Sequence, residues 1–312
     1  MMTIEDAVKK RYITIRSERS RAILKIQHEL IGALREGLLS KGFCEILAPV
    51  IGPATDPGIR GANPVKFDYY GTPYTVMSSM ILYKQMALAV FDHVFSLSPN
   101  VRLEPPETIK TGRHLAEFYQ LDLEAARTSC DEMMDLGDFL ICHCLESVKE
   151  RCQDELHLLQ RDLPSFTPPF KRIRHKELAE NLSISGEIPW NQERILSEQQ
   201  DEPFWVVDYP AGSRGFYYLE RDGVLQSMDL LMPEGFGEVI SGGEREYEYE
   251  RVRALLEKDH CVHDYAWYLD MLSIGVPPSA GFGLGVERLT QYVCGLEHIW
   301  ESSPFPKLPG VS

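Results

Sequence analysis

Three stretches of this 312-residue sequence carry side chains whose types and spacing could do chemistry. In Arg113-His114-Leu115-Ala116-Glu117-Phe118-Tyr119-Gln120-Leu121-Asp122-Leu123-Glu124, strand alternation puts Phe118, Gln120, Asp122 and Glu124 on one face. A ring, an amide and two carboxylates make a poor core but a suitable floor for a polar ligand. The same face also reads as a solvated sheet with ordinary ion pairs. In the second stretch Asp229, Glu238 and Ser241 offer hard oxygen donors of the kind that hold Mg²⁺ beside phosphate, with Gly242-Gly243 allowing close backbone approach. That stretch equally reads as a glycine-rich turn with surface carboxylates. In the third, Gly281-Phe282-Gly283-Leu284-Gly285-Val286-Glu287-Arg288, alternate glycines leave one strand face bare, so a flat ring can lie against the backbone. Arg288 then falls near a helix N-terminus, a place suited to anions.

The elements that must position these groups follow from periodicity. Apolar residues at Ile23, Ile26, Leu30, Leu34 and Leu38 predict an amphipathic helix over 15–40, closed by Lys41-Gly42-Phe43. A strand is expected at 45–51, a strand or hairpin at 69–76, a helix at 79–91, and paired strands at 94–97 and 118–124. One long helix is expected over 131–159. A Pro-rich irregular insertion follows over 164–201, with a short helix near 176–181. Strands are expected at 204–208, 216–219, 226–232 and 238–240, helices at 247–258 and 265–274, and the glycine strand 279–285 leads into a helix at 286–294. Few βαβ alternations favour an α+β domain, a mainly antiparallel sheet flanked by helices. No linker divides the chain, so a single domain over 1–312 is expected, with an insertion around 160–203.

Hydrophobic residues make up 44% and charged residues 25% of the chain, enough apolar material for a sizeable core. The formal net charge of −15 argues against a general polyanion binder. The acidic N-terminus shows no secretory signal and no run of about 18 apolar residues suggests a membrane span, so a cytoplasmic protein is expected. Seven cysteines lack disulfide-like spacing. Cys142-His143-Cys144 suggests a metal site, but on a helix i and i+2 point about 200° apart, which favours reduced thiols.

In this order the three blocks resemble the signature motifs of class II aminoacyl-tRNA synthetases. The first is 42–49, the second contains Arg102-x-Glu104, and the third is Gly283-x-Gly285-x-Glu287-Arg288. Arg113-His114-x-x-Glu117-Phe118 and Glu238-x-x-Ser241-Gly242-Gly243-x-Arg245 are similar to the aspartyl/asparaginyl branch. Within it, Ser79-Met80-Ile81-Leu82-Tyr83-Lys84-Gln85, Leu97-Ser98-Pro99-Asn100-Val101-Arg102-Leu103-Glu104, Gly242-Gly243-Glu244-Arg245-Glu246 and Pro304-Phe305-Pro306 resemble the archaeal asparagine synthetase-related family, a freestanding paralogue.

That resemblance implies the class II catalytic fold and a set of roles. Arg102 would meet the ATP α-phosphate, Glu104 the adenine amino group, and Phe118 and Arg288 the two faces of adenine, with Gly283 and Gly285 beneath. Arg113 and His114 would hold the distal phosphates, and Asp229, Glu238 and Ser241 would carry Mg²⁺. Lys84 and Arg245 fall where aspartyl enzymes clamp a spare carboxylate. Gln120 and Asp122 would take the α-ammonium, and Ser79 lies in the same amino-acid segment. Met77-Ser78-Ser79-Met80-Ile81 departs from the usual Gln-Ser-Pro-Gln run, so apolar groups replace amide ligands.

Two cations suit a dicarboxylic acid, so the expected substrate is L-aspartate. The expected reaction is its adenylation and amidation by ammonia to asparagine, with AMP and pyrophosphate released. Position 2 is Met, which leaves no N-terminal cysteine nucleophile to draw ammonia from glutamine. An aspartyl-adenylate ligase with another amine acceptor, and a non-catalytic paralogue acting as sensor or partner, are the alternatives. A homodimer through the first motif is expected, with the Ile23–Leu38 stripe and the Pro49 strand across the two-fold axis. No anticodon-binding domain and no tRNA partner are expected.

Overall fold

The computed structural model describes residues 3–56, 62–182, 184 and 186–311, so Met2 lies outside the described residues. Helix α1 (Glu18–Ser40) begins where the Ser17 hydroxyl accepts from the Ser20 N–H and ends at Lys41, followed by Gly42 at φ +81°. Helix α2 (Ile81–Ala87) is short and carries a buried lysine. Helix α3 (Cys130–Arg151) opens with a capping box between Ser129 and Glu132. It ends at Cys152, whose backbone is not helical, and a separate helix Gln153–Leu158 follows. The single helix expected over 131–159 is therefore two.

Eight strands form the main sheet: β1 (Cys44–Glu45), β2 (His93–Val101), β3 (Glu117–Ala126), β4 (Lys171–Arg174), β5 (Phe204–Val207), β6 (Ser227–Met232), β7 (Gly237–Glu244) and β8 (Ser279–Gly285). Their spatial order is β1-β2-β3-β8-β7-β6-β5-β4. The central strands pair antiparallel, and each edge strand runs parallel to its neighbour. The expected α+β class, a mainly antiparallel sheet flanked by helices, is what the chain adopts.

One face of this sheet is apolar. Leu121 and Leu123 of β3, Met228, Leu230 and Met232 of β6, and Phe282 and Leu284 of β8 pack against α1 and α3. The α1 stripe from Ile23 to Leu38 is at most 1% exposed within the chain. That corrects the expectation that it packs across a two-fold axis, because the sheet and α3 already cover it. Burying such side chains contributes about 1.5–3 kcal/mol each.

Two expected strands are missing. After Glu45 the chain leaves the sheet and rejoins a small sheet only at Ile51–Gly52. Pro49 in between has no N–H for a ladder, and Leu47 is 97% exposed. At 216–219 four successive side chains are buried, a pattern without alternation. Phe216, Tyr217 and Tyr218 join a second apolar cluster with the helices Tyr249–Lys258 and Ala266–Ile274. The hairpin near 69–76 is present as Lys66–Tyr69 and Thr72–Val76.

The stretch read as an irregular insertion is more ordered than its composition suggested. It supplies the edge strand β4, a helix His175–Leu182, and helix α4 (Trp190–Glu198), which packs over the ends of β6 and β7. Helix α5 (Val286–Cys294) follows β8 directly through Gly285. Cys144 is buried and Cys142 half-buried, and all seven thiols are free. Among the described residues no helix is long and apolar enough to cross a membrane.

Candidate active site

The face opposite the core carries the chemistry. Gln120, Asp122 and Glu124 of β3 line it as the alternation predicted, flanked by Ser98 and Ser96 of β2 and by Gly283 and Gly281 of β8. A Cβ at Gly281 would lie 2.2 Å from Glu124 Oε2, and one at Gly283 would lie 2.7 Å from Gln120 Nε2. The bare glycine strand is thus what lets these side chains lie flat on the sheet.

At the closed end four charges meet out of water. Lys84 of α2, 2% exposed, donates from Nζ to Asp122 Oδ1 at 3.2 Å and to the Phe282 carbonyl at 3.1 Å, with Glu124 Oε2 3.7 Å away. Arg245, 1% exposed, forks onto Glu124 through Nε and Nη2 at 3.0 Å, and donates to the Gly281 carbonyl at 2.8 Å. Ser279 and Ser98 donate to Glu124 and Asp122. Burial lowers the Lys84 pKa, and Asp122 opposes that shift. Burial works against the Arg245 charge too, but Glu124 more than offsets it. The two cations expected to clamp a dicarboxylate therefore face two carboxylates of the chain itself, and the set is neutral.

Toward the open end lie the groups expected around a nucleotide. The Arg102 guanidinium sits 5.1 Å from the Phe118 ring centroid, and its Nε donates to the Ser78 carbonyl at 3.1 Å. Arg102 thus overlies Phe118 here, on the ring whose expected partner is an adenine with Arg288 on its other face. Glu104 follows on the same strand extension, its N–H donating to the Arg102 carbonyl. Arg288, in the first turn of α5, donates to Glu238 Oε1 at 2.9 Å. Arg113 is buried, with Nη1 on Glu193 Oε2 at 3.0 Å and Nη2 on the Glu238 carbonyl at 3.1 Å. It braces α4 against β7, and burial lowers its pKa against the pull of Glu193. His114 Nδ1 and the Thr111 hydroxyl are 2.6 Å apart. The Ser79 hydroxyl accepts from the Ile81 N–H at 3.3 Å, at the start of α2.

The oxygen donors expected for Mg²⁺ share this face because of a bulge. Leu230 pairs with Ile240 but Leu231 pairs with Glu238, so Val239 is an extra residue in β7. Val239 and Ile240 both enter the core, and Glu238 and Ser241 are both returned to the site face. Asp229 lies directly opposite Ser241. Its carboxylate, however, is forked by Arg214, with Nη1 to Oδ1 at 3.0 Å and a second contact from Nη2 to Oδ2. Glu238 takes Arg288 on Oε1 whereas Asp229 is forked by Arg214 on both oxygens, so a divalent ion shared with phosphate oxygens fits Glu238 and Ser241 better than Asp229. Among the described residues no three His, Cys, Asp or Glu side chains form a metal-binding group.

Sequence reasoning missed three contributors. Arg214 stands alone between small residues, and Glu193 lies in the stretch read as irregular. Asn100 sits inside a quoted motif without being singled out. Asn100 is fully buried, its Nδ2 donates to Gln120 Oε1 at 2.9 Å, and its Oδ1 has no partner among the described residues. A buried acceptor of that kind on a site face suits a donor group of a ligand.

Comparison with known proteins bears on what binds here. The family described as tRNA synthetases class II (D, K and N) matches residues 3–309. The chain is 35% identical over 313 residues to the asparagine–tRNA ligase of Pyrococcus furiosus, covering 96% of this chain and 71% of that protein. Over 325 residues it is 35% identical to the asparagine–tRNA ligase of Sorangium cellulosum, at 96% and 72% coverage. The asparaginyl-tRNA synthetase of Pyrococcus horikoshii complexed with asparaginyl-adenylate superposes with a TM-score of 0.92 at 32% identity, covering 99% of this chain and 74% of that one. The asparaginyl-tRNA synthetase of Entamoeba histolytica with asparaginyl-adenylate gives 0.88 at 25%, covering 99% and 72%. These findings overturn the expectation of an aspartate–ammonia ligase and the expectation that tRNA is not a partner. The relatives are tRNA ligases, and the amino acid in their adenylates is asparagine. The neutral Lys84–Asp122–Glu124–Arg245 set gives the physical reason: the argument for aspartate required cations without counter-charges.

Proposed function

The chain belongs to the class II tRNA synthetases (D, K and N), and from that premise we propose that it activates asparagine with ATP and passes the asparaginyl group to tRNA. The observation that carries this reading is the charge balance at the closed end of the site. Lys84 and Arg245 are matched by Asp122 and Glu124. A neutral carboxamide entering there adds no net charge to a buried pocket, whereas a second carboxylate adds an unmatched one.

In this reading the amino acid lies along β3 with its side chain toward Arg245 and its α-carboxylate toward Arg102. The buried Asn100 amide, the half-buried Gln120 amide and Asp122 face its α-ammonium. Phe118 supports the adenine ring, and Gly283 and Gly285 keep the floor flat beneath the nucleotide. The carboxylate attacks the α-phosphorus in line, and the fixed charge of Arg102 stabilises the oxygens that gain charge. Holding both reactants on one rigid sheet supplies most of the remaining advantage. Glu238 with Ser241 would hold Mg²⁺, an ion that neutralises phosphate charge and improves pyrophosphate as a leaving group. A hydroxyl of the tRNA end then attacks the adenylate carbonyl, and AMP leaves.

The exposed Leu47 and Val50 beside the short edge strand β1 support a second part of the reading, a homodimer joined through this edge. The deciding experiment for the activity is amino-acid-dependent ATP–pyrophosphate exchange, followed by tRNA charging. Exchange with asparagine at least tenfold above aspartate, and asparagine-dependent charging, are expected. Exchange with aspartate alone, or none with either, would overturn the reading.

A further inference from the structure

Arg214 is an arginine for which neither catalysis nor the core has yet supplied a purpose. Its side chain is 4% exposed. The guanidinium carbon lies 3.7 Å from the Tyr209 ring centroid and 5.7 Å from that of Tyr218. Nε donates to Glu187 Oε1 at 2.8 Å, and Nη2 to Glu187 Oε2 at 3.4 Å. Nη1 and Nη2 fork onto Asp229, and Nη1 stands 3.5 Å from the Ser241 hydroxyl. Every nitrogen of the fork has an acceptor, and the plane is clamped by aromatic stacking. Burial opposes the charge, but the Asp229 carboxylate keeps the group protonated.

We propose that Arg214 is a resident counter-ion occupying the place where the Asp229–Ser241 pair would otherwise accept a divalent cation, so that Glu238 and Ser241 are left as the ion-holding donors. The inference rests on the adenylating function proposed above. Arg214 engages both oxygens of Asp229, so an ion there would have to displace it, whereas at Glu238 the Arg288 contact runs from Nη1 to Oε1 at 2.9 Å. Displacing Arg214 would leave a buried cation with a partner removed, a penalty of roughly 10²–10³-fold in apparent ion affinity. A fixed guanidinium also needs no ion to arrive, so the positive charge beside the phosphates is already in place before ATP binds.

The test counts bound ions rather than turnover. The full chain is saturated with α,β-methylene-ATP, and Mn²⁺ bound per chain is measured by electron paramagnetic resonance. Asp229→Asn keeps an acceptor for Arg214 while removing a good metal donor. It should bind the same number of Mn²⁺ ions as the wild type, with affinity within twofold. Glu238→Gln should lose one ion. Arg214→Met, which uncovers Asp229, should gain one ion or bind Mn²⁺ at least tenfold more tightly. Loss of an ion or tenfold weakening in Asp229→Asn overturns the inference alone, and so does an unchanged ion count and affinity in folded Arg214→Met. Should Arg214→Met fail to fold, Asp229→Asn decides. Failure of the wild type to bind the nucleotide analogue overturns the adenylating reading, and this inference with it.

Discussion

Glu124 and Arg245 face each other in a forked pair at the closed end of the site, Nε to Oε1 and Nη2 to Oε2 both at 3.0 Å, neither more than 1% exposed. Two parallel bonds fix the guanidinium plane, and the Ser279 hydroxyl adds a third contact to the carboxylate. Replacing Glu124 by Gln keeps the shape and removes the balancing charge. The pocket then holds an uncompensated cation, which should draw aspartate at the expense of asparagine. We expect the asparagine-to-aspartate ratio in pyrophosphate exchange to fall at least tenfold. Stability in denaturant titration should drop by about 3–5 kcal/mol, the usual cost of breaking a buried pair. An unchanged ratio would remove charge balance as the basis of selectivity.

Phe118 is the aromatic of the site face, with the Arg102 guanidinium 5.1 Å from its centroid. Phe118→Ala should raise the KM for ATP about tenfold, in line with the loss of an aromatic contact worth about 1–1.5 kcal/mol. The KM for the amino acid should stay within twofold, because Phe118 is not among the buried charges around Lys84. Steady-state exchange kinetics with each substrate varied in turn would check this. An equal rise in both constants would mean the ring supports the sheet rather than the nucleotide.

Glu287 is buried in the first turn of α5, and its Oε2 accepts from the Tyr119 N–H at 2.9 Å. Burial pushes its pKa up to about 7, opposed by that backbone bond. Between its ordinary value of 4.5 and about 7 the folded protein holds a proton that the unfolded chain has released. Stability from this group is therefore full below about 4.5, falls as pH rises through the window, and is level above it. The total is about 3 kcal/mol, as the shift implies. Glu287→Gln keeps an acceptor for Tyr119 and should abolish this slope, gaining on the wild type in denaturant midpoint as pH rises from 5 to 8. Parallel pH profiles for the two proteins would refute the assignment.

Leu47 is 97% exposed between two short strands. If that edge joins two copies, Leu47→Asp should shift sedimentation from dimer to monomer at micromolar concentration while leaving the thermal transition of the monomer fold in place. A wild type that sediments as a monomer would rule the edge out as a subunit contact.

Much of the site face was legible in the sequence because strand periodicity is local. Phe118, Gln120, Asp122 and Glu124 alternate on one strand, and the glycines of β8 alternate beside them, so two adjacent strands declare their polar side without knowledge of the partner. What could not be read is non-local. That Lys84 finds Asp122, thirty-eight residues away, depends on how α2 docks on the sheet. Composition gave no sign that 164–201 supplies an edge strand and the Glu193 that engages Arg113, since polar, Pro-rich residues pack there through a few apolar anchors such as Leu196. Residues 216–219 look like a strand by residue type, yet four consecutive buried side chains require cover on every side, which two helices provide.

The extra residue at Val239 makes the Glu238–Ser241 pair depend on pairing register rather than on residue identity. A smaller apolar residue there would still let the strand take its step into the core. If β7 paired with β6 regularly at the present spacing, Glu238 and Ser241, three residues apart, would face opposite sides, and one of the two would turn toward Leu230 and Phe282. The shared face of these two oxygens is thus set by the register of β7 on β6 rather than by residue types. Descendants of this chain can drift in sequence across the bulge, and even loss of Val239 would leave Glu238 and Ser241 two residues apart on one face, whereas a slip of β7 into regular pairing would separate them.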